Sequence, residues 1–345
     1  MQLRGRRFVA WIVGLCVALV IAIGVRTYLA VHPAVSPGYR DSGVKVVYIK
    51  SDTRSTEIAA LLKRQGIIHD RFLFLVFTLF RGTSDRLKAG EYEFPSSMGL
   101  LDIIRILEEG KVLVHKVTIP EGATVWQIAT VFDREGLMDR DRFLEMTMDP
   151  SVASFYVPEA DTLEGFLFPD TYYFIRGIEG EEIIETIVQR FFRAFTRQDE
   201  LRARELGMSL RQIVTLASII EKEAVVDEEK RIIAGVFYNR LRRGMRLQAD
   251  PTVLYGKRRQ GRITRRDLRA RHPYNTYVQN GLPPGPIASP GEAALKAALY
   301  PAQVKYLYFV SKNDGTHHFS RTLKEHVRAV RKYQQRRKSP RKGSI

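Results

Sequence analysis

SLRQIVTLASIIEKEAVVDEEKRIIAGVFYNRLRRGMRLQADPTVLYG, residues 209–256, is the stretch from which the rest of this 345-residue chain is best read. Ser209 and Gln212 have the spacing of a capping box, in which each side chain satisfies a backbone donor at a helix start. Apolar residues then fall at Ile213, Leu216, Ala217, Ile220 and Ala224, the rhythm of a half-buried helix. At about 100° per residue this stripe leaves Glu221 on one border and Glu223 on the other, with Lys222 facing away. The two carboxylates therefore point in separate directions. Whichever lines a cleft borders an apolar face, where desolvation raises its pKa, a property that a general acid needs. Composition alone reads both as solvated helix-end charges, and the residues do not choose between them. Asp227 is placed to cap a second helix with Ile232, Ile233, Val236, Phe237 and Leu241 inward, and Gly244 stops it.

The composition bounds what surrounds this stretch. With 45% hydrophobic residues the chain has enough apolar content for a core and length for two domains. The formal charge of +17 raises a nucleic-acid reading, but the basic residues are dispersed and no nucleic-acid-binding motif accompanies them. A basic protein equally suits anionic headgroups and an acidic wall polymer. Phe8 to Val25 is an uncharged run of 18 residues, long enough to span a bilayer core. Arg26 can snorkel to the interface, with Tyr28 and Leu29 extending the helix. Arg4, Arg6 and Arg7 precede the run and place the N-terminus in the cytoplasm. A cleaved signal peptide is the rival, yet the run is longer than a usual signal core and Ala30 to Ser36 offers no clear small-x-small cleavage site. The only cysteine, Cys16, lies inside the run, so neither an intrachain disulfide nor a cysteine metal site is available.

After a Pro- and Gly-containing linker, residues 32–43, the predicted order is a strand at Val44 to Ile49, a helix capped by Ser55 and ended by Gly66, and a buried core helix Phe72 to Phe80 capped by Asp70. A strand around Phe94 and a helix to Glu109 follow. Further on come a strand at Val112 to Ile119, a helix from Thr124 to Glu135, a helical segment from Asp141 and an amphipathic helix over Glu181 to Glu205. Phe166, Phe168, Tyr172 and Tyr173 cluster around Pro169-Asp170 and fit either a sugar-stacking wall or an aromatic core. Lys257 to Arg271 is a basic loop with seven arginines, and His272 to Tyr277 and Gly281 to Ile287 form a proline-set loop. A helix Gly291 to Leu299, a strand Val304 to Val310, a turn-strand at His317 to Ser320 and a final helix carrying His326 end the ordered part. No P-loop, GxGxxG, HExxH or GxSxG is present, so nucleotide, zincin and serine-hydrolase readings have no support. The adjacent His317 and His318 cannot both face one metal on a regular strand.

The blocks ASIIEKEA (217–224), YNRL (238–241), MRLQADPTVLYG (245–256), GLPPGPI (281–287) and LEGFLFPDTY (163–172) resemble the YceG-like family, over roughly residues 44 to 330. That resemblance implies an α+β protein made of an N-terminal transmembrane helix, a small LysM-like βααβ module and a larger mixed α+β catalytic domain. The boundaries are 1–7 cytoplasmic tail, 8–30 transmembrane helix, 31–43 linker, 44–112 LysM-like module, 113–330 catalytic domain and 331–345 basic tail. It implies endolytic cleavage of the β-1,4 bond between N-acetylmuramic acid and N-acetylglucosamine in nascent peptidoglycan, leaving 1,6-anhydro ends and limiting strand elongation. One glutamate acts first as acid and then as base toward the sugar's 6-hydroxyl, and the first acid of the E-K-E, Glu221, takes this role. Gln248, Asp250, Thr252 and Tyr255 are expected to line the groove, and Asn239 and Asn275 to bind acetamido groups. Glu164, Asp170 and Tyr172 come next. For Asn239 and Asp250 the alternative is loop and cap bonding. The implied partners are glycan strands, the membrane and the peptidoglycan glycosyltransferases or penicillin-binding proteins, with no cofactor, metal or nucleic acid. The implied location is the plasma (inner) membrane, single-pass, with the catalytic part extracytoplasmic or periplasmic. The competing class is a non-catalytic wall-binding scaffold, which an exposed Glu221 would favour and an enclosed one would not.

Overall fold

The computed structural model describes Val20, Ile23, Gly24, Tyr28, residues 43–257 and residues 262–334. The expected cytoplasmic tail, residues 31–42 of the linker, nearly all of the transmembrane helix, and residues 335–345 of the basic tail lie outside the described residues. Among the described residues no helix is long and apolar enough to cross a membrane. The chain divides into two compact units, one containing the described residues up to His115 together with Tyr173–Ile178, the other Lys116–Tyr172 with Glu179 onward.

In the first unit β1 (Val44–Ile49) pairs antiparallel with β2 (Gly90–Pro95), Val44 opposite Pro95 and Ile49 opposite Gly90. Between them lie α1 (Ser55–Arg64) and α2 (Arg71–Phe80), and α3 (Leu100–Glu109) follows. Val47, Ile49, Ile58, Leu62, Phe74, Tyr92, Phe94, Ile103, Ile104 and Leu107 form one core. Ser55 is the first helical residue and does not cap α1; Arg54 occupies the cap position with no side-chain bond. Asp70 does cap α2, accepting from Phe72 N and Leu73 N. The expectation of a buried core helix at Phe72 to Phe80 is corrected. Only Phe74 and Thr78 of α2 are buried, while Phe72, Leu79 and Phe80 face solvent. A two-layer unit this small has a single inward face to offer each helix.

The boundary between the units falls within β3 (Val114–Thr118) and β4 (Thr171–Ile175), which pair in a second two-stranded sheet. The second unit adds α4 (Val125–Arg134), α5 (Arg140–Met148) and α6 (Pro150–Tyr156). The expected single helix over Glu181 to Glu205 is two, α7 (Gly180–Ala194) and α8 (Arg197–Glu205), because Thr196 and Asp199 form a capping box that starts a new helix. Next come α9 (Leu210–Glu223), α10 (Asp227–Arg242), α11 (Asp250–Gly256), α12 (Arg265–Arg269) and α13 (Glu292–Leu299). A hairpin, β5 (Tyr308–Ser311) with β6 (His317–Ser320), and α14 (Leu323–Gln334) complete it. Both predicted strands at Val112 to Ile119 and Val304 to Val310 shrink to the residues that have a pairing partner, and Arg331 to Gln334 of the expected tail are helical.

α9 is the axis of this unit, and it packs against α10, α11 and α13. Its predicted stripe holds, but every residue from Ile213 to Ile220 is buried, not one face only. Two polar residues make that tolerable. Thr215 Oγ1 donates to Arg211 O at 2.7 Å, and Ser218 Oγ donates to Thr215 O at 2.8 Å while accepting Ile287 N–H at 3.0 Å.

Candidate active site

α9 ends where its two carboxylates diverge. Glu221 turns toward α10: its oxygens accept from Lys230 Nζ at 3.1 and 3.3 Å, and Oε2 also accepts the Gly291 N–H at 3.0 Å. Lys230 is 3% exposed and pairs with Asp227 at 2.8 Å as well, with Glu121 3.8 Å away. Burial pulls the Lys230 ammonium down, and Asp227 and Glu221 more than reverse it, so the cation is held. Asp227 is thus the first residue of α10 and an ion-pair partner, not the expected cap; Val226 holds the cap position. Burial and the neighbouring Glu221 push Glu121 up. The residue facing Glu121 at the start of α13 is Gly291, where a Cβ would push aside the exposed Glu121 carboxylate.

Glu223 turns the other way. It is half-buried, and enclosure followed by the charge of Asp250 pushes its carboxyl up to about 8, although the Asp250 N–H and Arg240 act against the rise. Asp250 itself is exposed and accepts from Tyr277 Oη at 2.6 Å. Arg240, 6% exposed, donates to Leu307 O at 2.7 Å and Leu247 O at 2.5 Å, which ties α10 to the segment entering α11. That segment carries Gln248 at a left-handed φ of 51°, with its N–H on Thr276 O at 3.1 Å. A non-glycine residue held in this region marks a place where tertiary structure over-determines the backbone.

A third carboxyl, Glu164, is 1% exposed. It accepts Val125 N–H at the start of α4 at 3.1 and 3.2 Å, and a hydrogen bond from Tyr255. Burial nevertheless drives it up to about 8. Over it lie three rings in contact, Trp126 to Tyr255 at 5.3 Å and Tyr255 to Tyr274 at 4.8 Å between centroids. Tyr255 shares α11 with Asp250, and Tyr274 shares a loop with Tyr277, so the same two elements carry both the ring cluster and the surroundings of Glu223.

The remaining predicted residues belong to the framework. Thr252 is 0% exposed and bonds Ala249 O and Thr276. Asn275 gives its amide to Asp267 O and Ala270 O and accepts Tyr277 N–H. Asn239 donates to Val304 O and Tyr306 O and accepts from Arg242, the loop bonding foreseen as its alternative. Asp170 is held low by the Thr171 N–H, with Arg190 at 2.6 Å adding to it, and Tyr172 donates to Phe168 O. Phe166, Phe168 and Tyr172 are buried, so that block is an aromatic core; only Tyr173 is exposed. Glu121, Trp126, Lys230, Arg240, Tyr274 and Tyr277 were not foreseen. Tyr274 and Tyr277 had a signal, since both lie in the loop read as rigid. Lys230 and Glu121 had none, because each meets Glu221 only through the turn of the chain. Among the described residues no cluster of His, Cys, Asp and Glu could hold a metal.

The YceG-like family matches residues 47–332 of this chain. A Bacillus subtilis (strain 168) protein named endolytic murein transglycosylase is 34% identical over 315 residues, spanning 86% of this chain and 87% of that protein. A Streptococcus pneumoniae (strain R6) protein of the same name is 29% identical over 320 residues, spanning 82% of this chain and 57% of that longer protein. A 2.6 Å crystal structure of a yceG-like protein from Listeria monocytogenes superposes with a TM-score of 0.59 at 34% identity, covering 84% of this chain and 99% of that one. The chain belongs to the YceG-like family.

Proposed function

From that membership we propose that this chain is a peptidoglycan-cleaving lytic transglycosylase and that Glu223 is its proton donor. The observation that carries the second part is the contrast at the end of α9. A general acid holds a proton at working pH and presents it to the leaving oxygen. Glu223, pushed up to about 8 and beside the exposed Asp250, meets that requirement. Both oxygens of Glu221 face donors, Lys230 and Gly291, and its side chain is only 8% exposed. The enclosure of both acids favours an enzyme over a scaffold. The resemblance by itself favours Glu221; the raised Glu223 carboxyl, set against the donors that already occupy Glu221, favours Glu223.

In this reading the Glu223 carboxyl gives its proton to the glycosidic oxygen as the bond from C1 of the muramic acid unit breaks. The Asp250 carboxylate offsets the positive charge that develops at C1. Glu223, now ionised, takes the proton of the same sugar's 6-hydroxyl as its oxygen bonds to C1. A 1,6-anhydro ring forms, the acid is regenerated and no water is consumed. Trp126, Tyr255 and Tyr274 offer ring surface for pyranose C–H faces. The apolar run Phe8 to Val25 anchors the chain in the plasma membrane with both units outside, where nascent strands leave the glycan polymerases and cutting limits their length.

A second reading comes from Asp250: two carboxylates at one bond also describe a hydrolase. Digestion of purified peptidoglycan by the full-length protein, with products read by mass spectrometry, separates these. The proposal expects anhydro ends, lighter by one water than reducing ends. Reducing ends would make it a hydrolase, and strand binding without products would make it a scaffold.

A further inference from the structure

The apolar outward face of α2 has no role in the chemistry above. Phe72, Leu79 and Phe80 are 68%, 72% and 87% exposed. With the half-buried Val76 they fall at i, i+4, i+7 and i+8, one continuous stripe along the helix. The two phenylalanines alone leave roughly 300 Å² of ring surface in water, a patch of the size that marks an interaction site. The inward edge, Phe74 and Thr78, is already used by the core.

We propose that this stripe seats the first unit on the lipid surface to which the chain is anchored. The inference rests on the anchor reading of Phe8 to Val25. Two further observations select lipid over another occupant. Only 18 residues separate Val25 from Val44, the first residue of β1. Even drawn straight they reach about 60 Å, and an average coil of that length covers roughly 25 Å, so the unit cannot leave the neighbourhood of the bilayer. Exposed basic side chains flank the helix in sequence, Arg71 at the start of α2, Arg81 just past its end and Arg86 beyond, with one exposed acid, Asp85, among them. Arg81 is bound to Glu108 at 2.9 Å, and Asp70 is turned into its own helix cap. Apolar rings between arginines are the combination that inserts shallowly among anionic headgroups.

The test uses full-length protein in vesicles of phosphatidylglycerol and phosphatidylcholine. Cys16, the only cysteine, is replaced by serine, and a polarity-sensitive dye is attached at F80C. The proposal expects a blue-shifted dye, quenched at least twofold by lipids carrying a nitroxide on the acyl chain, and loss of that quenching in F72S/L79S. Sedimentation with vesicles after an alkaline wash reports the anchor separately. A chain that stays with the vesicles while its dye emits as in water overturns the α2 seat and leaves the anchor standing. A chain that washes off overturns both. A blue-shifted dye that lipid nitroxides do not quench, with a shift that grows with protein density, would mean that a second copy covers the stripe and would also overturn the proposal.

Discussion

An enclosed carboxyl either keeps a proton or finds a cation, and the acidic side chains around α9 divide on that choice. Glu164 keeps the proton. Its ordinary value of 4.5 rises to about 8 in the folded chain, so between those pH values the native state binds a proton that the unfolded state has released. The stability this contributes is complete below about 4.5 and is lost as pH rises to about 8, by about 1.4 kcal/mol per pH unit. Glu164→Gln removes a titrating group but not the amide-like shape, so denaturant unfolding across pH 5 to 8 should show a shallower decline than the wild type. An unchanged slope would mean that Glu164 is ionised in the native state. Glu221 instead found a cation. Lys230→Met leaves that carboxylate buried with its ammonium gone, which costs about 3 kcal/mol, while Lys230→Met with Glu221→Leu should recover most of the loss. If the single variant is as stable as wild type, the ion pair is not what fixes the corner between α9 and α10.

At the level of elements, α9 is held by the capping box at Ser209 and Gln212, with Ser209 N–H donating to Gln212 Oε1 at 2.9 Å. Ser209→Ala should lower stability by about 1 kcal/mol and leave the pH dependence of cleavage unchanged, because the lost bond lies at the far end of the helix from Glu223. A shifted pH profile would contradict that separation. This box was legible in the sequence because its bonds are local, three residues apart. So were the ends of α1 and α10 at glycines with positive φ, Gly66 and Gly244. The split between α7 and α8 was equally local and still overlooked, since the apolar rhythm runs past Phe195 and hides the box at Thr196. What the sequence could not show is which polar side chains of the motif blocks face outward. Asn239 binds backbone carbonyls 65 and 67 positions away, Thr252 the hydroxyl of Thr276 24 positions away, and Asn275 carbonyls of the adjoining turn, and only the folded chain reveals that those amides and that hydroxyl are occupied. The same limit applies to α2, whose largely apolar sequence says nothing of how few partners a small unit can give it.

For the whole molecule, the two proposals place a lipid-facing helix, α2, on one unit and the cleavage chemistry at the end of the buried helix α9 on the other. The family and the mixed α+β architecture were readable from ordered motif blocks. Spacing says only that the two glutamates diverge and the resemblance names Glu221; the proposal of Glu223 rests instead on Lys230 beside one and Asp250 beside the other. The most direct measurement is therefore the rate of glycan cleavage by Glu223→Gln and Glu221→Gln side by side, with the folded fraction of each confirmed and the pH profile of any residual activity recorded. The account predicts a loss of about 10²- to 10⁴-fold for Glu223→Gln, against a smaller loss for Glu221→Gln with the wild-type decline above about pH 8 retained. A Glu223→Gln protein that still cuts, beside an inactive but folded Glu221→Gln protein, would contradict it and return the proton to Glu221.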